Sequence, residues 1–413
     1  MKAYLSSENI KSITTKIAVT GSKSESNRLL VLQALYPNLS IENVSESDDS
    51  VVLSKGLKIK NGVVDIHHAG TAMRFLTAYF AGQEGVEIIL TGSERMQERP
   101  IGVLVDALRS LGAQIEFLFE EGYPPIKILG TRIEKSSVTV AANISSQYIS
   151  ALMLLAPSLE DGLHIHLEGK VTSVPYIQMT LALLKRIGIE GSYTDNEIAI
   201  SASGTIENTT ITVESDWSSA SYFYSVVALS KDTNIQLTSY RKYSLQGDAA
   251  LSHIYTAFGV HTEFDEVQQT IVLSKGENKL PESIALDLSN TPDVAQTIAV
   301  TCFGLGIACV LSGLHTLKIK ETDRLLALER ELTKLGAEVT VTSDSLTLKS
   351  ADEITPNVEI ATYHDHRMAM AFAPLGLKTQ IVISDCGVVS KSFPSFWKDI
   401  AKIGIDVQLK QEN

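Results

Sequence analysis

Residue types able to handle anions and protons gather in four stretches of an otherwise apolar chain. The first is GSKSESNR, residues 21–28. Gly21 permits a tight turn, and Ser22 or Ser24 can cap a helix running toward Tyr36, which Pro37 stops. Amide N–H groups at that helix start, together with Lys23 and Arg28, form a cradle for an anion. It is not a P-loop, because the glycine and spacer required before Lys23 are missing. A plain solvated helix start is the alternative. The second stretch is HAGTAMRF (68–75) with TGSERMQERP (91–100). Gly70 allows close backbone approach and Thr71 offers a hydroxyl. Arg74, Arg95 and Arg99 are guanidinium forks suited to carboxylate or phosphate, unless they pair with Glu94 and Glu98 on a surface loop. The third is ISSQYIS (144–150) with TSVPYI (172–177), where Ser145, Ser146, Gln147, Ser173 and Tyr176 supply hydroxyl and amide groups for a polyhydroxylated or phosphorylated ligand. Helix capping is the competing role for each serine.

The fourth stretch is spread over TPDVAQT (291–297), KETDRL (320–325), YHDHRMAM (363–370) and SKSFP (390–394). Lys320 and Arg324 are placed i, i+4 on one helical face, with Glu321 beside them and Asp293 following Pro292. Carboxylates and cations mix here, as proton transfer next to a bound phosphate requires. His364 and His366 invite a metal reading, but they are read as alternate residues of an extended segment, with no further His/Cys pair at a useful spacing. Other chemistries lack their motifs: GLGIAC (304–309) fails the dinucleotide fingerprint at its last position, and neither G-x-S-x-G nor H-E-x-x-H occurs.

The formal net charge is −13, which argues against nucleic-acid or anionic-membrane partners. If so acidic a protein handles anions, its cations must be concentrated in one place. At 413 residues, 44% hydrophobic and 20% charged, the chain reads as well buried and exceeds the length at which one core usually stops growing. Its first residues lack the apolar core and cleavage site of a signal peptide. The longest apolar run, residues 298–311, is too short for a membrane span and reads as one helix buried on all sides. On such a helix Cys302 and Cys309 would lie about 10 Å apart, too far for a disulfide, so a reduced cytoplasmic setting is expected.

The elements that must position these groups repeat. An amphipathic helix, a Gly flanked by apolar residues and a short strand recur as ALRSLGAQIEF, LLKRIGIEGSY, IYTAFGVHTEF, ELTKLGAEVTV and IAKIGIDVQL, with a weaker copy in VLSKGLKIKNGVVDI. The glycines are Gly56, Gly112, Gly188, Gly259, Gly336 and Gly404, roughly 70 residues apart, a period too long for a helical solenoid. Gly accepts the left-handed backbone that ends a helix, and the apolar residue after it turns the chain into the core. Ile101, Leu104, Val105, Leu108 and Leu111 form one apolar stripe on the helix before Gly112. Six such units predict a duplicated α/β architecture with three units per domain and a seam near residues 205–220. Against this stands the possibility that Leu-Gly before a strand is simply a common helix ending.

In chain order, GSKSESNR, AGTAMRF, LTGSERMQERPIG, SSQYISALM, PYI, DWSSASYF, TPDVAQTIA, KETDRL, HDHRMAMAF and KSFP resemble the motif series of the EPSP synthases, a branch of the enolpyruvyl transferases. The series runs from residue 21 to 394, and KETDRL, DHRMAM and RMQERPIG are each specific. The resemblance implies an inside-out α/β fold of two similar domains, each of three repeated βαβαββ units. One domain, residues 21–215, would carry the shikimate-phosphate-binding face. The other, 1–20 plus 216–413, would carry the catalytic carboxylates and cations for phosphoenolpyruvate. The implied reaction moves the enolpyruvyl group of phosphoenolpyruvate to the 5-hydroxyl of shikimate 3-phosphate and releases phosphate. No metal or organic cofactor is implied, only these small-molecule substrates, and a monomer is expected.

By the same resemblance, Lys23, Ser24, Arg28, Ser145, Ser146, Gln147, Ser173 and Tyr176 hold shikimate 3-phosphate, bordered by Asp293 and Lys320. Lys23, Gly70, Thr71, Arg99, Gln147, Arg324, His366, Arg367 and Lys391 line the phosphoenolpyruvate site. Asp293 takes the proton of the attacking hydroxyl, and Glu321 is the family's candidate for protonating the methylene, with Lys23 assisting. Two lobes closing on paired anions would exclude water and strengthen these contacts. The chain departs from the family at His68, Phe75, Val174, Trp217 and Thr316, where Asn, Pro, Lys, a small residue and Asn are usual. The sister transferase acting on UDP-N-acetylglucosamine fits less well, since it relies on a cysteine in its first-half domain and none precedes Cys302. A catalytically silent homologue is the rival of another class, and Asp293, Glu321 and Lys23 speak against it.

Overall fold

The computed structural model describes residues 1–7, 13–141, 145–169, 171, 174–277, 279–351 and 353–411. The chain divides into two compact units: Gly21–Val213, and Met1–Thr20 with Glu214–Asn413. Ser173, predicted to hold substrate, lies outside the described residues.

One repeat shows how the sequence builds the pattern. Strand Asn61–Asp65 leads through helix Gly70–Ala81 to strand Glu87–Thr91, and helix Gly102–Leu111 then leads to the hairpin Gln114–Phe117 and Ile126–Leu129. The first two strands pair in parallel; the hairpin adds its second strand, antiparallel, beside Glu87–Thr91. A β-strand, helix, parallel β-strand crossover needs a helix of this length, whereas the closing pair needs only a turn. Strand Leu163–Glu168 of the next repeat alternates buried and exposed along LHIHLE, so its sheet keeps one wet face. The same four-stranded order recurs four more times among the described residues.

Each repeat contributes two kinds of helix. The second is amphipathic: Leu104, Val105, Leu108 and Leu111 of Gly102–Leu111 are fully buried while the opposite side is wet. The first is apolar all round, as in Trp217–Leu229, Ala295–Leu305 and His366–Phe372, and is buried almost throughout. Such a helix has no side to offer water, so it belongs in the centre. Its N-terminus, however, carries polar residues. That placement decides where the chemistry lies.

Three expectations need correction. Gly112, Gly188, Gly259, Gly336 and Gly404 do adopt positive φ at helix ends, but Gly56 does not; it is the last residue of helix Asp48–Gly56, and a Cβ there would sit 2.7 Å from Leu76 Cδ1. Close packing demands that glycine. Its repeat is also the short one, a two-stranded sheet of Thr209–Thr212 and Leu39–Glu42 without a closing hairpin. Residues 298–311 are not one helix, because Gly306 in the left-handed region ends Ala295–Leu305 and strand Ala308–Ser312 follows. The turn folds Cys309 back beside Cys302, and both remain free.

Candidate active site

In unit Gly21–Val213 the polar residues stand at the starts of the central helices. Ser22 caps helix Lys23–Leu35 by accepting from the Glu25 amide. Ser145 caps Ser146–Leu155 by accepting from the Gln147 amide, and Gly70 opens Gly70–Ala81. Three helix N-termini, each with spare amide N–H groups and a partial positive charge, make this end of the unit attractive to anions. Gln147 Nε2 donates to Thr71 Oγ1 at 3.4 Å, joining two of these helix starts.

Arg28 is the best-held cation of this set. It is 3% exposed, yet no carboxylate lies within ion-pair reach among the described residues. Nε donates to Thr180 Oγ1, Nη2 to Ser150 Oγ and Nη1 to the Ser24 carbonyl, each at 2.8 Å. The rings of Phe75 and Tyr176 both lie 5.6 Å from its guanidinium carbon. Burial pushes Arg28 down to about 10, against the pull of Tyr176 and Glu25, so it stays charged at neutral pH. Arg99 packs on Gly70: a Cβ on residue 70 would meet Arg99 Nη1 at 2.7 Å, and its Nε is buried without a hydrogen bond. Lys23 Nζ is 3.9 Å from Asp49 Oδ2.

The other two arginines of the second stretch are not ligand forks. Arg74 spends its donors on the Gly70 and Pro100 carbonyls and Met96 Sδ, and lies over the Tyr148 ring. Burial and the neighbouring Arg99 cation push it down to about 10. Arg95 is exposed and pairs with Glu98 at 2.8 Å, as the surface-loop alternative had it.

The second unit gathers a different set. Helix starts Trp217–Leu229, Ala295–Leu305 and His366–Phe372 again meet, through Arg367: Nη2 donates to Ser218 Oγ at 3.3 Å and lies 3.2 Å from Asp293 Oδ2, and Nη1 donates to the Asp293 carbonyl at 3.0 Å. Arg324, 1% exposed, is wrapped in carboxylates. Nε donates to Asp365 Oδ2 at 2.7 Å, Nη1 to Asp293 Oδ1 at 3.0 Å and Nη2 to Glu321 Oε2 at 2.8 Å. Three anionic partners outweigh desolvation and hold Arg324 above its ordinary value. Lys320 Nζ is 3.6 Å from Asp293 Oδ1. Asp293 acts to raise this amine, but burial and the Arg324 and Arg367 cations bring it below its ordinary value.

Lys320 and Arg324 do not share a helical face. Helix Arg324–Lys334 begins at Arg324, capped by Asp323, and Lys320 is extended after a short helical turn; they meet at Asp293 from different elements. His364 and His366 are not alternate residues of a strand either. His366 is buried and opens helix His366–Phe372, 3.8 Å from Asp365, while His364 is exposed and pairs with Asp385. Tyr363, His364 and Asp385 all have positive φ, a costly conformation for residues with a Cβ. Lys391 Nζ donates to the carbonyl of that strained His364 at 2.6 Å.

Sequence reasoning missed Asp365, Ser150 and Thr180. All three stand inside the quoted stretches or one turn beyond them, but only the fold shows which arginine each one holds. Asp365 also caps its helix by accepting from the Arg367 amide. Chemically, the second unit offers a carboxylate, Asp293, fixed among three cations, with Glu321 on the same arginine. It is the arrangement that a general base working beside positive charge would need. Among the described residues no group of three or more His, Cys, Asp or Glu side chains could hold a metal ion.

Residues 37–400 match the EPSP synthase (3-phosphoshikimate 1-carboxyvinyltransferase) family. A 3-phosphoshikimate 1-carboxyvinyltransferase of Bacteroides fragilis (strain YCH46) is 43% identical over 404 residues, 97% of this chain and 98% of that protein. One from Vibrio atlanticus (strain LGP32) is 34% identical over 97% of this chain and 99% of its own length. Among solved structures, an EPSP synthase from Acinetobacter baumannii aligns with a TM-score of 0.81 over 99% of this chain and 100% of its own; at 21% identity this likeness speaks for the fold.

Proposed function

The chain belongs to the EPSP synthase family, and from that premise we propose that it transfers the enolpyruvyl group of phosphoenolpyruvate to the 5-hydroxyl of shikimate 3-phosphate. The observation that carries this reading is Asp293, a carboxylate in contact with Arg324, Arg367 and Lys320 at once. Asp293 takes the proton of the 5-hydroxyl as its oxygen bonds to C2 of phosphoenolpyruvate. Glu321 delivers a proton to the methylene, with Lys23 assisting, and gives a methyl group and a tetrahedral ketal phosphate. Loss of a methyl proton then restores the double bond as the C–O bond to phosphate breaks. Fixed cations balance the charge throughout, so beyond these proton transfers the residues need supply only position and electrostatics.

In the same reading Lys23, Ser24, Arg28, Ser145, Ser146, Gln147 and Tyr176 receive shikimate 3-phosphate, with Ser173 among them by its motif. Gly70, Thr71, Arg99, Arg324, His366, Arg367 and Lys391 receive phosphoenolpyruvate. Arg28 suits a phosphate because its charge is buried yet uncommitted to any carboxylate. The sister reaction on UDP-N-acetylglucosamine is disfavoured, since all three cysteines are buried and belong to the other unit. No helix among the described residues is long and apolar enough to cross a membrane; we read the enzyme as a cytoplasmic monomer. The test is direct. Purified protein given both substrates should release one phosphate per enolpyruvyl ether formed, and a folded protein that releases none would sink the reading.

A further inference from the structure

A carboxylate outside every motif named so far braces the proton-transfer group. Residues 246–250 are fastened to the start of helix Trp217–Leu229: the Trp217 amide donates to Gln246 Oε1, and Gln246 Nε2 donates to the Ser215 carbonyl, both at 2.9 Å. This docking buries Asp248 to 6% exposure between two hydroxyls. Thr291 Oγ1 donates to Asp248 Oδ1 at 2.6 Å, and Ser218 Oγ donates to Oδ2. Thr291 opens the short helical turn Pro292–Val294 that carries Asp293. Ser218 accepts from Nη2 of Arg367, the same nitrogen that lies 3.2 Å from Asp293 Oδ2. One buried side chain therefore grips the base through one hydroxyl and its neighbouring cation through another.

We propose that Asp248 is a positioning residue for the enolpyruvyl transfer, setting Asp293 and Arg367 in register through Thr291 and Ser218. This rests on the function proposed above. Both Asp248 oxygens accept from hydroxyls, the pattern of an ionised carboxylate. A buried charge served only by neutral hydroxyls is a poor way to gain stability, so its value lies in the field it adds. The charged groups that act on it are Asp293 and Arg367, and Asp216 acts in turn on Arg367. Burial first, and the Asp293 charge second, push Asp248 above the usual carboxylate range.

Asp248→Asn keeps the shape and removes the charge. We expect kcat to fall about 10–100-fold with KM for shikimate 3-phosphate little altered. Ser218→Ala, cutting the arm to Arg367, should chiefly raise KM for phosphoenolpyruvate; Thr291→Val, cutting the arm to Asp293, should chiefly lower kcat. A folded Asp248→Asn enzyme with wild-type kcat and KM, even with a lower Tm, overturns the proposal. Should that variant fail to fold, wild-type kinetics in both hydroxyl variants overturn it instead. If the wild-type protein shows no transfer at all, the functional reading has failed, and the carboxyl-carbon NMR shift of Asp293 at neutral pH decides this point alone. A resonance moved by Asp248→Asn upholds the coupling and an unchanged one refutes it.

Discussion

The two units carry their cations in opposite ways. In Gly21–Val213 the buried arginines rest on hydroxyls, carbonyls and aromatic rings: Arg28 on Thr180, Ser150, Phe75 and Tyr176, Arg74 on Gly70, Pro100 and Tyr148. In the other unit Arg324 and Arg367 are matched by Asp293, Glu321 and Asp365. The difference shows in their acidities, Arg28 and Arg74 pushed down to about 10 by burial, Arg324 and Arg367 held up by carboxylates. In the proposed reading Arg28, buried without a carboxylate partner among the described residues, is open to an anion from outside, whereas Arg324 and Arg367 hold the carboxylates of the proton transfers as well as receiving phosphoenolpyruvate. Arg28 would then serve binding alone, and the second unit would join binding to chemistry.

The sharpest attack on this division removes the base. Asp293→Ala should lower kcat by about 10²–10⁴-fold while shikimate 3-phosphate still binds, which steady-state kinetics and calorimetry read separately. An undiminished kcat would end the division. Next comes the buried ion pair: Asp365→Ala leaves Arg324 with Asp293 and Glu321 but also takes the cap from helix His366–Phe372, and should reduce stability by about 1–3 kcal/mol, seen in urea unfolding. A loss below ~0.5 kcal/mol would mean that the remaining carboxylates suffice to hold Arg324.

In the first unit the same kind of change should act on binding. Arg28→Lys keeps the charge but loses the fork, so KM for shikimate 3-phosphate should rise about 10–100-fold with kcat little altered. An equal loss in kcat would place Arg28 with the chemistry after all. The smallest effect is expected from Gly70→Ala, whose Cβ would fall 2.7 Å from Arg99 Nη1. The arginine can swing aside, so KM for phosphoenolpyruvate should rise only about threefold to tenfold. Unchanged KM would remove Arg99 from the site.

Much of this was legible before any coordinates, for identifiable reasons. Helix-ending glycines need a conformation that other residues avoid, so Gly112, Gly188, Gly259, Gly336 and Gly404 mark their repeats from sequence alone. Gly56 breaks the rule because a missing side chain serves close packing as well as positive φ, and sequence does not say which. The interval from Gly56 to Gly112 is the shortest of the five, which was the trace of the missing hairpin. Lys320 and Arg324 looked helical by spacing, yet Asp323 caps a helix that begins only at Arg324. Arg74, Arg95 and Arg99 are alike as residue types; only burial and partners separate a packing group, a surface pair and a candidate ligand. Asp248 was invisible because its partners, Ser218 and Thr291, come from two other segments.

Strand Lys2–Ser6 pairs with Ile381–Ile383 on one side and Asp406–Lys410 on the other, and Ile13–Ile17 pairs with Thr233–Thr238. During synthesis, then, strands Lys2–Ser6 and Ile13–Ile17 emerge long before the partners they pair with. The contacts of Gly21–Val213 can all close in the meantime, because every partner it needs has already emerged. Until then the leading strands have open edges, the kind of surface that joins neighbouring nascent chains. Residues 1–20 are made before the whole of the other unit, yet belong to the one that finishes folding after it.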